Sequence, residues 1–329
     1  MLRRQVIASL ALGAGGVVGG TFPALARAAE APPVQTAVVR LTGADGRNFG
    51  CRFRWTEGDG PRPLIVFSHG FGGNLDAFPN TSAAWARAGY VTAHPTHADS
   101  LRPAPDRTPL GEELARLRAQ RQATGERGEA FVRMLDDPAH LNGRVSDVAA
   151  ILAAAADGNG LPAPLQRRID AGRMGMAGHS YGAYTTLALG GATVRRGEAL
   201  RSFAEPRFAA FMPISAQGAG RMGLETQSFA DMRRPCLWIT GSRDFGAAQE
   251  PPDWRLQGFD LSPPGDKYSL FVADARHSDF DAPPGGPEVG EALRARQVAF
   301  WDAYVRGDEE AKAALRTPPA SPAIAAKAR

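Results

Sequence analysis

Residues 49–55, Phe-Gly-Cys-Arg-Phe-Arg-Trp, alternate so that Phe49, Cys51, Phe53 and Trp55 fall on one face. A period of two marks a half-buried strand, and with 37–41 this stretch predicts an antiparallel hairpin. Beyond Pro63 the pattern changes to short, continuous apolar runs at 64–68, 90–93, 173–177, 209–214, 236–240 and 268–272, bounded by glycine or polar turns. Such runs suit strands covered on both faces. Helical stretches at 82–88, 145–156, 181–189 and 293–305 are interspersed with them. That alternation implies an α/β domain with a mainly parallel sheet and helices on both faces. Eight strands are expected, the first two antiparallel.

Two stretches break the rhythm. From 99 to 142 the chain is long, polar and arginine-rich, and only 112–122 reads as helical. An insertion of this size usually covers something, so a lid over a site's mouth is one reading. The other is a solvated excursion, with Arg116, Arg118 and Arg121 on the polar face of its helix. The residues from 317 to 329, rich in proline and alanine, read as a disordered, frayed tail. Between 36 and 306 nothing looks like a linker, so a single domain is expected there.

The first 28 residues read differently. Arg3-Arg4 precedes a glycine-diluted apolar run at 6–18, followed by Ala24-Leu25-Ala26 and Ala26-Arg27-Ala28. This is the layout of an export signal, twin-arginine in type, with an ordinary secretory signal as the alternative. Five glycines and a proline make it too weakly apolar for a span, so no stable membrane anchor is expected and the mature protein is placed in the periplasm or outside the cell. The whole chain carries +4, but removing 1–28 takes away Arg3, Arg4 and Arg27 and no acid. A nearly neutral mature protein has no compositional case for binding nucleic acid. Cys51 and Cys236 are able to pair in an oxidising compartment, but their strands are expected far apart in the sheet, which favours two buried free thiols.

The chemistry concentrates in Gly178-His179-Ser180-Tyr181-Gly182, which follows an apolar strand and opens an apolar helix. In that context G-x-S-x-G forms the nucleophile elbow of α/β-hydrolases. A serine hydroxyl needs a base, and of the six histidines only His277 follows Ser180, as the order serine, acid, histidine requires. The acid is expected at Asp244, in Gly241-Ser242-Arg243-Asp244 at a strand's exit, with Asp274 in reserve and Asp279 as a turn cap. An oxyanion hole is expected from the backbone N–H groups of Phe71, in Ser68-His69-Gly70-Phe71-Gly72-Gly73, and of Tyr181. His69 reads as a brace of that loop. His94-Pro95-Thr96-His97 with Asp99 has the residue types of a metal cluster, but Pro95 breaks any helix that would align the rings, so a polar loop is expected. Trp238 reads as core, and Phe71, Tyr181 and Trp254 as possible walls of an apolar pocket.

His69-Gly70-Phe71-Gly72-Gly73, Gly89-Tyr90-Val91, Gly178-His179-Ser180-Tyr181-Gly182 and Arg276-His277-Ser278-Asp279-Phe280 together resemble the dienelactone hydrolase and platelet-activating-factor acetylhydrolase branch of the α/β-hydrolases, over most of 36–306. The resemblance implies hydrolysis of a small-molecule carboxylic ester through an acyl-enzyme, with no metal or cofactor. True dienelactone hydrolases have cysteine where this chain has Ser180. The acetylhydrolases place their acid after the strand that here ends Ile214-Ser215-Ala216-Gln217, which has no carboxylate, whereas Asp244 matches the dienelactone hydrolase position. The rival readings are a serine amidase or peptidase on the same fold, or an inactive binding protein.

Overall fold

The alternating stretch folds back on itself at Gly43-Ala44-Asp45-Gly46, where the Asp45 carboxylate accepts the Arg47 N–H and Gly46 takes a φ of 78°. The computed structural model describes residues 31–102, 108–124 and 129–329. The expected export signal at 1–28 lies outside them. The turn joins β1 (Val34–Thr42) to β2 (Asn48–Thr56), paired antiparallel from Val34 with Thr56 to Thr42 with Asn48. Then follow β3 (Arg62–Ser68), α1 (Pro79–Arg87), β4 (Val91–Pro95), α2 (Pro109–Thr124), α3 (Glu129–Asp136), α4 (Pro138–Asp157), α5 (Ala163–Gln166), β5 (Ile169–His179) and α6 (Tyr181–Leu189). A small ribbon of β6 (Val194–Arg196) and β7 (Ala199–Arg201) precedes β8 (Phe208–Ile214) and β9 (Cys236–Arg243). The chain ends with α7 (Gln257–Leu261), β10 (Lys267–Arg276), α8 (Pro287–Trp301), α9 (Glu309–Ala314) and β11 (Ile324–Ala328).

The main sheet has the order β1-β2-β4-β3-β5-β8-β9-β10-β11. The pairings β1 with β2, β2 with β4 and β10 with β11 are antiparallel, and the rest are parallel. Nine strands stand where eight were expected. The extra one, β11, corrects the expectation of a disordered tail at 317–329: it pairs with β10 from Val272 opposite Ile324 to Tyr268 opposite Ala328. Only Ile324 of this strand is buried, so its hold is main-chain hydrogen bonding, which leaves no trace in side-chain pattern.

The continuous apolar runs are explained by the two faces they serve. Leu64 and Val66 of β3 point into the core shared with α4 and α6, while Ile65 and Phe67 join the core with Trp85 of α1 and Trp301 of α8. Gly175 in β5 makes room for the second core, since a Cβ there would lie 2.7 Å from the Trp301 ring. Cys51 and Cys236 are both buried free thiols, separated by four strands of the sheet.

Strand order places the functional edge. After β3 the chain passes through α1 on one face to β4, and after β5 through α6 on the other face to β8, although β3 and β5 are neighbours. Ligand sites of open α/β sheets lie at such a switch point, beyond the carboxyl ends of the strands. Here those ends carry Ser68-His69-Gly70 and Gly178-His179-Ser180.

Candidate active site

The β5-to-α6 turn is tight enough to explain its own glycines. A Cβ on Gly182 would fall 1.9 Å from the Ser68 carbonyl oxygen, and one on Gly178 would fall 2.2 Å from that of Gly182. Ser180, the residue between, sits at φ 57°, ψ −116°. A non-glycine residue there costs about 1–3 kcal/mol, which the surroundings offset. The Ser180 N–H donates to the Ile214 carbonyl at 2.9 Å, so β8 holds the turn as well as β3.

Ser180 Oγ lies 2.8 Å from His277 Nε2, and His277 Nδ1 lies 2.9 Å from Asp244 Oδ1. The imidazole is 44 % exposed at the side chain and the carboxylate 0 %. His277 follows β10 in a short turn closed by Asp279, whose carboxylate accepts the Arg276 N–H at 2.9 Å. Asp274 is exposed, its N–H donating to Ser242 Oγ. His179 steadies the turn from below: its Nε2–H donates to the His277 carbonyl at 2.6 Å. Burial, helped by the neighbouring His277, pushes His179 down to about 3, so it stays neutral and is a fixed donor.

Asp244 has further partners that sequence reasoning missed. Thr240 donates to Oδ2 at 3.0 Å, and Arg255 Nε stands 2.9 Å from Oδ1. Burial works to raise the Asp244 carboxyl, but the His277 hydrogen bond and the Arg255 charge outweigh it and hold the group below its usual value. The same guanidinium donates to the carbonyls of Ser215 and Ala216 beyond β8 and of Asp244 and Phe245 beyond β9. It therefore staples two strand exits at the base of the site. Ser215, just beyond β8, contributes a hydroxyl 2.8 Å from His277 Nδ1.

The two expected oxyanion donors converge on the same edge. Tyr181 is the first residue of α6, so its N–H has no partner within the helix. A Cβ built on Gly70 would approach Ser180 Cβ to 3.4 Å, which sets the Gly70-Phe71 segment against the serine. Neither the Phe71 nor the Tyr181 N–H has an acceptor among the described residues.

Beneath this loop lies a buried network. His69 Nδ1–H donates to the Gly70 carbonyl at 2.7 Å while its Nε2 accepts the His97 N–H at 3.0 Å, so the expected bracing role has a geometry. His97 bridges Ser68 Oγ at 2.8 Å and Asp147 Oδ2 at 2.7 Å. Arg47 caps the other Asp147 oxygen. Arg144 and Asp99 form a salt bridge of 2.8 Å beside them, both fully buried. His94 stacks on Phe67 at 4.9 Å between centroids. The segment read as a polar loop is polar in composition but buried, serving as the loop's foundation.

A cavity of about 550 Å³ opens above Ser180 and His277. Its walls are chiefly apolar: Phe71, Trp254 and Met222, with Phe131, Val132 and Leu135 of α3. The insertion thus supplies one wall. Asp136, at the end of α3, accepts the Met222 N–H at 3.2 Å and so ties that wall to the loop opposite. Trp254 is fixed by its indole N–H on the Ala219 carbonyl, 2.9 Å away. Trp238 is buried in the core. No protein-family model and no curated protein matches this chain.

Proposed function

We propose that the protein is a serine carboxylic-ester hydrolase of the α/β-hydrolase type. The observation that carries this reading is the unbroken relay from Ser180 Oγ through His277 to Asp244, with contacts of 2.8 and 2.9 Å, opening on an apolar cavity. The strand order and the strained elbow at φ 57° support the same assignment.

Chemistry follows from the geometry. His277 Nε2 takes the Ser180 proton as Oγ attacks the ester carbonyl, and the ionised Asp244 stabilises the resulting imidazolium and holds its tautomer. The carbonyl oxygen becomes an oxyanion facing the Phe71 and Tyr181 N–H groups, each donor being worth about 10²–10³ in rate. As the C–O bond breaks, His277 gives its proton to the leaving alkoxide, and the acyl group stays on Ser180. Water then repeats the sequence: His277 removes its proton, the oxyanion forms again, and the proton returns to Ser180 as the acid leaves. The cavity suits an ester with a substantial apolar acyl or alcohol part.

The test is a fluorophosphonate probe followed by peptide mapping, then turnover of matched aryl esters and anilides. Labelling at Ser180 with faster ester than anilide turnover is expected. Faster anilide turnover would replace the esterase assignment with an amidase, and no labelling would remove the enzyme assignment altogether.

A further inference from the structure

We propose that the Asp99–Arg144 ion pair is the positioning element of the oxyanion hole, fixing the peptide that presents the Phe71 N–H. The inference rests on the esterase reading above and names what holds its electrophilic side in place.

The two residues stand 45 positions apart, at the two roots of the long insertion, and meet with Arg144 Nη2 and Nε at 2.8 and 3.1 Å from the Asp99 oxygens. From that junction, bonds run directly to the loop after β3. Arg144 Nη1 donates to the His69 carbonyl at 2.5 Å and to Ser68 Oγ at 3.0 Å, and Nη2 reaches the Gly70 carbonyl at 3.4 Å. Asp99 Oδ2 accepts the Gly72 N–H at 2.7 Å, and Arg118 of α2 donates to the Phe71 carbonyl at 3.0 Å.

The Phe71 N–H and the Gly70 C=O belong to one peptide unit. That carbonyl is bonded by His69 and approached by Arg144, and the following Gly72 N–H is bonded by Asp99, so the peptide's plane is tied on both sides. Donors on a carbonyl also polarise the N–H across the same peptide and strengthen it as a donor. Arg144 further packs over the Tyr181 ring at 4.8 Å, touching the residue that supplies the other donor. A buried ion pair is weak as a source of stability and is often replaceable by apolar groups. Its geometry here, spent on backbone groups flanking one catalytic N–H, gives it a use that packing alone does not supply.

Conservative variants test this. Asp99→Asn keeps an acceptor for Gly72 without the charge, and Arg144→Lys keeps the charge without the fork. Active sites are counted by end-point fluorophosphonate titration, so that misfolded molecules are excluded. Per titrated site, kcat for an aryl ester should fall about 10- to 100-fold with KM within about threefold, less than the loss of a whole donor. Affinity for a phenylboronate, whose tetrahedral adduct places an oxygen in the hole, should weaken by a similar factor. The preference for an oxo-ester over its thiono analogue should shrink, because sulfur uses the hole poorly. A lowered Tm with unchanged kcat per site, boronate affinity and oxo/thiono ratio would overturn the proposal and leave the pair a folding element. A wild-type protein that neither labels at Ser180 nor turns over esters would overturn the esterase reading, and this inference with it.

Discussion

Two Ser–His–Asp relays run through this molecule with nearly the same contacts. Ser180–His277–Asp244 has legs of 2.8 and 2.9 Å, and Ser68–His97–Asp147 has legs of 2.8 and 2.7 Å. Everything around the atoms differs. Ser180 sits on a strained elbow facing a cavity, whereas Ser68 closes a regular strand and is sealed at 0 % exposure. The carboxylates diverge as well. Asp244 is held below its usual value by His277 and Arg255 against burial, while burial lifts Asp147 to about 7 despite Arg47. A triad's distances therefore do not suffice to assign catalysis. Access, strain that exposes the hydroxyl, free N–H donors and a committed negative charge separate the candidate catalytic relay from the structural one.

The serines offer the sharpest way to break this comparison. Ser180→Ala should fold normally and lose on the order of 10⁴–10⁶ in ester turnover, since the members of a triad act as a unit. Ser68→Ala should do the reverse. It strips Arg144 and His97 of a buried partner, at about 1–3 kcal/mol of stability in urea unfolding, and keeps turnover within about tenfold. A collapse of activity in Ser68→Ala beyond that of Ser180→Ala would assign the chemistry to the wrong relay.

What was legible beforehand follows the same division. That Ser180, His277 and Asp244 would meet was readable because the elbow motif and the order serine, acid, histidine single them out, and because a crowded turn admits only glycine at 178 and 182. Apart from His69, the supports were not readable. Arg255 and Arg144 are ordinary cations in an arginine-rich chain, and nothing local marks that Arg144 will meet Asp99 across 45 residues or that Arg47 will meet Asp147 across 100. His97 read as part of a polar loop, yet the Asp147 that makes its burial tolerable is 50 positions away. The parallel strands were visible in their doubly buried runs, while β11, with a single buried side chain, was not.

The acids test the electrostatic half of the contrast. Asp244→Asn should lower kcat by about 10³–10⁴, because the amide neither stabilises the imidazolium nor keeps the tautomer. Asp147→Asn should leave turnover within a few-fold and alter the pH dependence of stability instead. In the wild type the unfolded chain ionises Asp147 near pH 4 and the folded chain near 7. Between those values the folded state holds the extra proton, so this group's contribution to stability falls as pH rises from about 4 to 7. Asn removes that slope. Urea midpoints at pH 4.5, 6 and 7.5 should show the variant gaining on the wild type as pH rises, and a constant difference would mean that Asp147 is ionised throughout.

His94 supplies the smallest effect and separates burial from membership of a relay. It lies three residues before His97, equally buried, but its ring stacks on Phe67 and among the described residues belongs to no Ser–His–Asp chain. Burial, together with the nearby Arg54 and Arg52 charges, pushes it well below its usual value. Above pH 6.5 neither folded nor unfolded His94 carries a proton, so pH has no effect through it. Below that, the unfolded chain binds a proton that the folded chain refuses, and stability falls as pH falls. His94→Phe keeps the stacked ring and removes the proton site, so its stability drop from pH 7 to 4.5 should be smaller than the wild type's. If the drop is unchanged, His94 does not set the acid sensitivity, which then belongs to the other buried histidines.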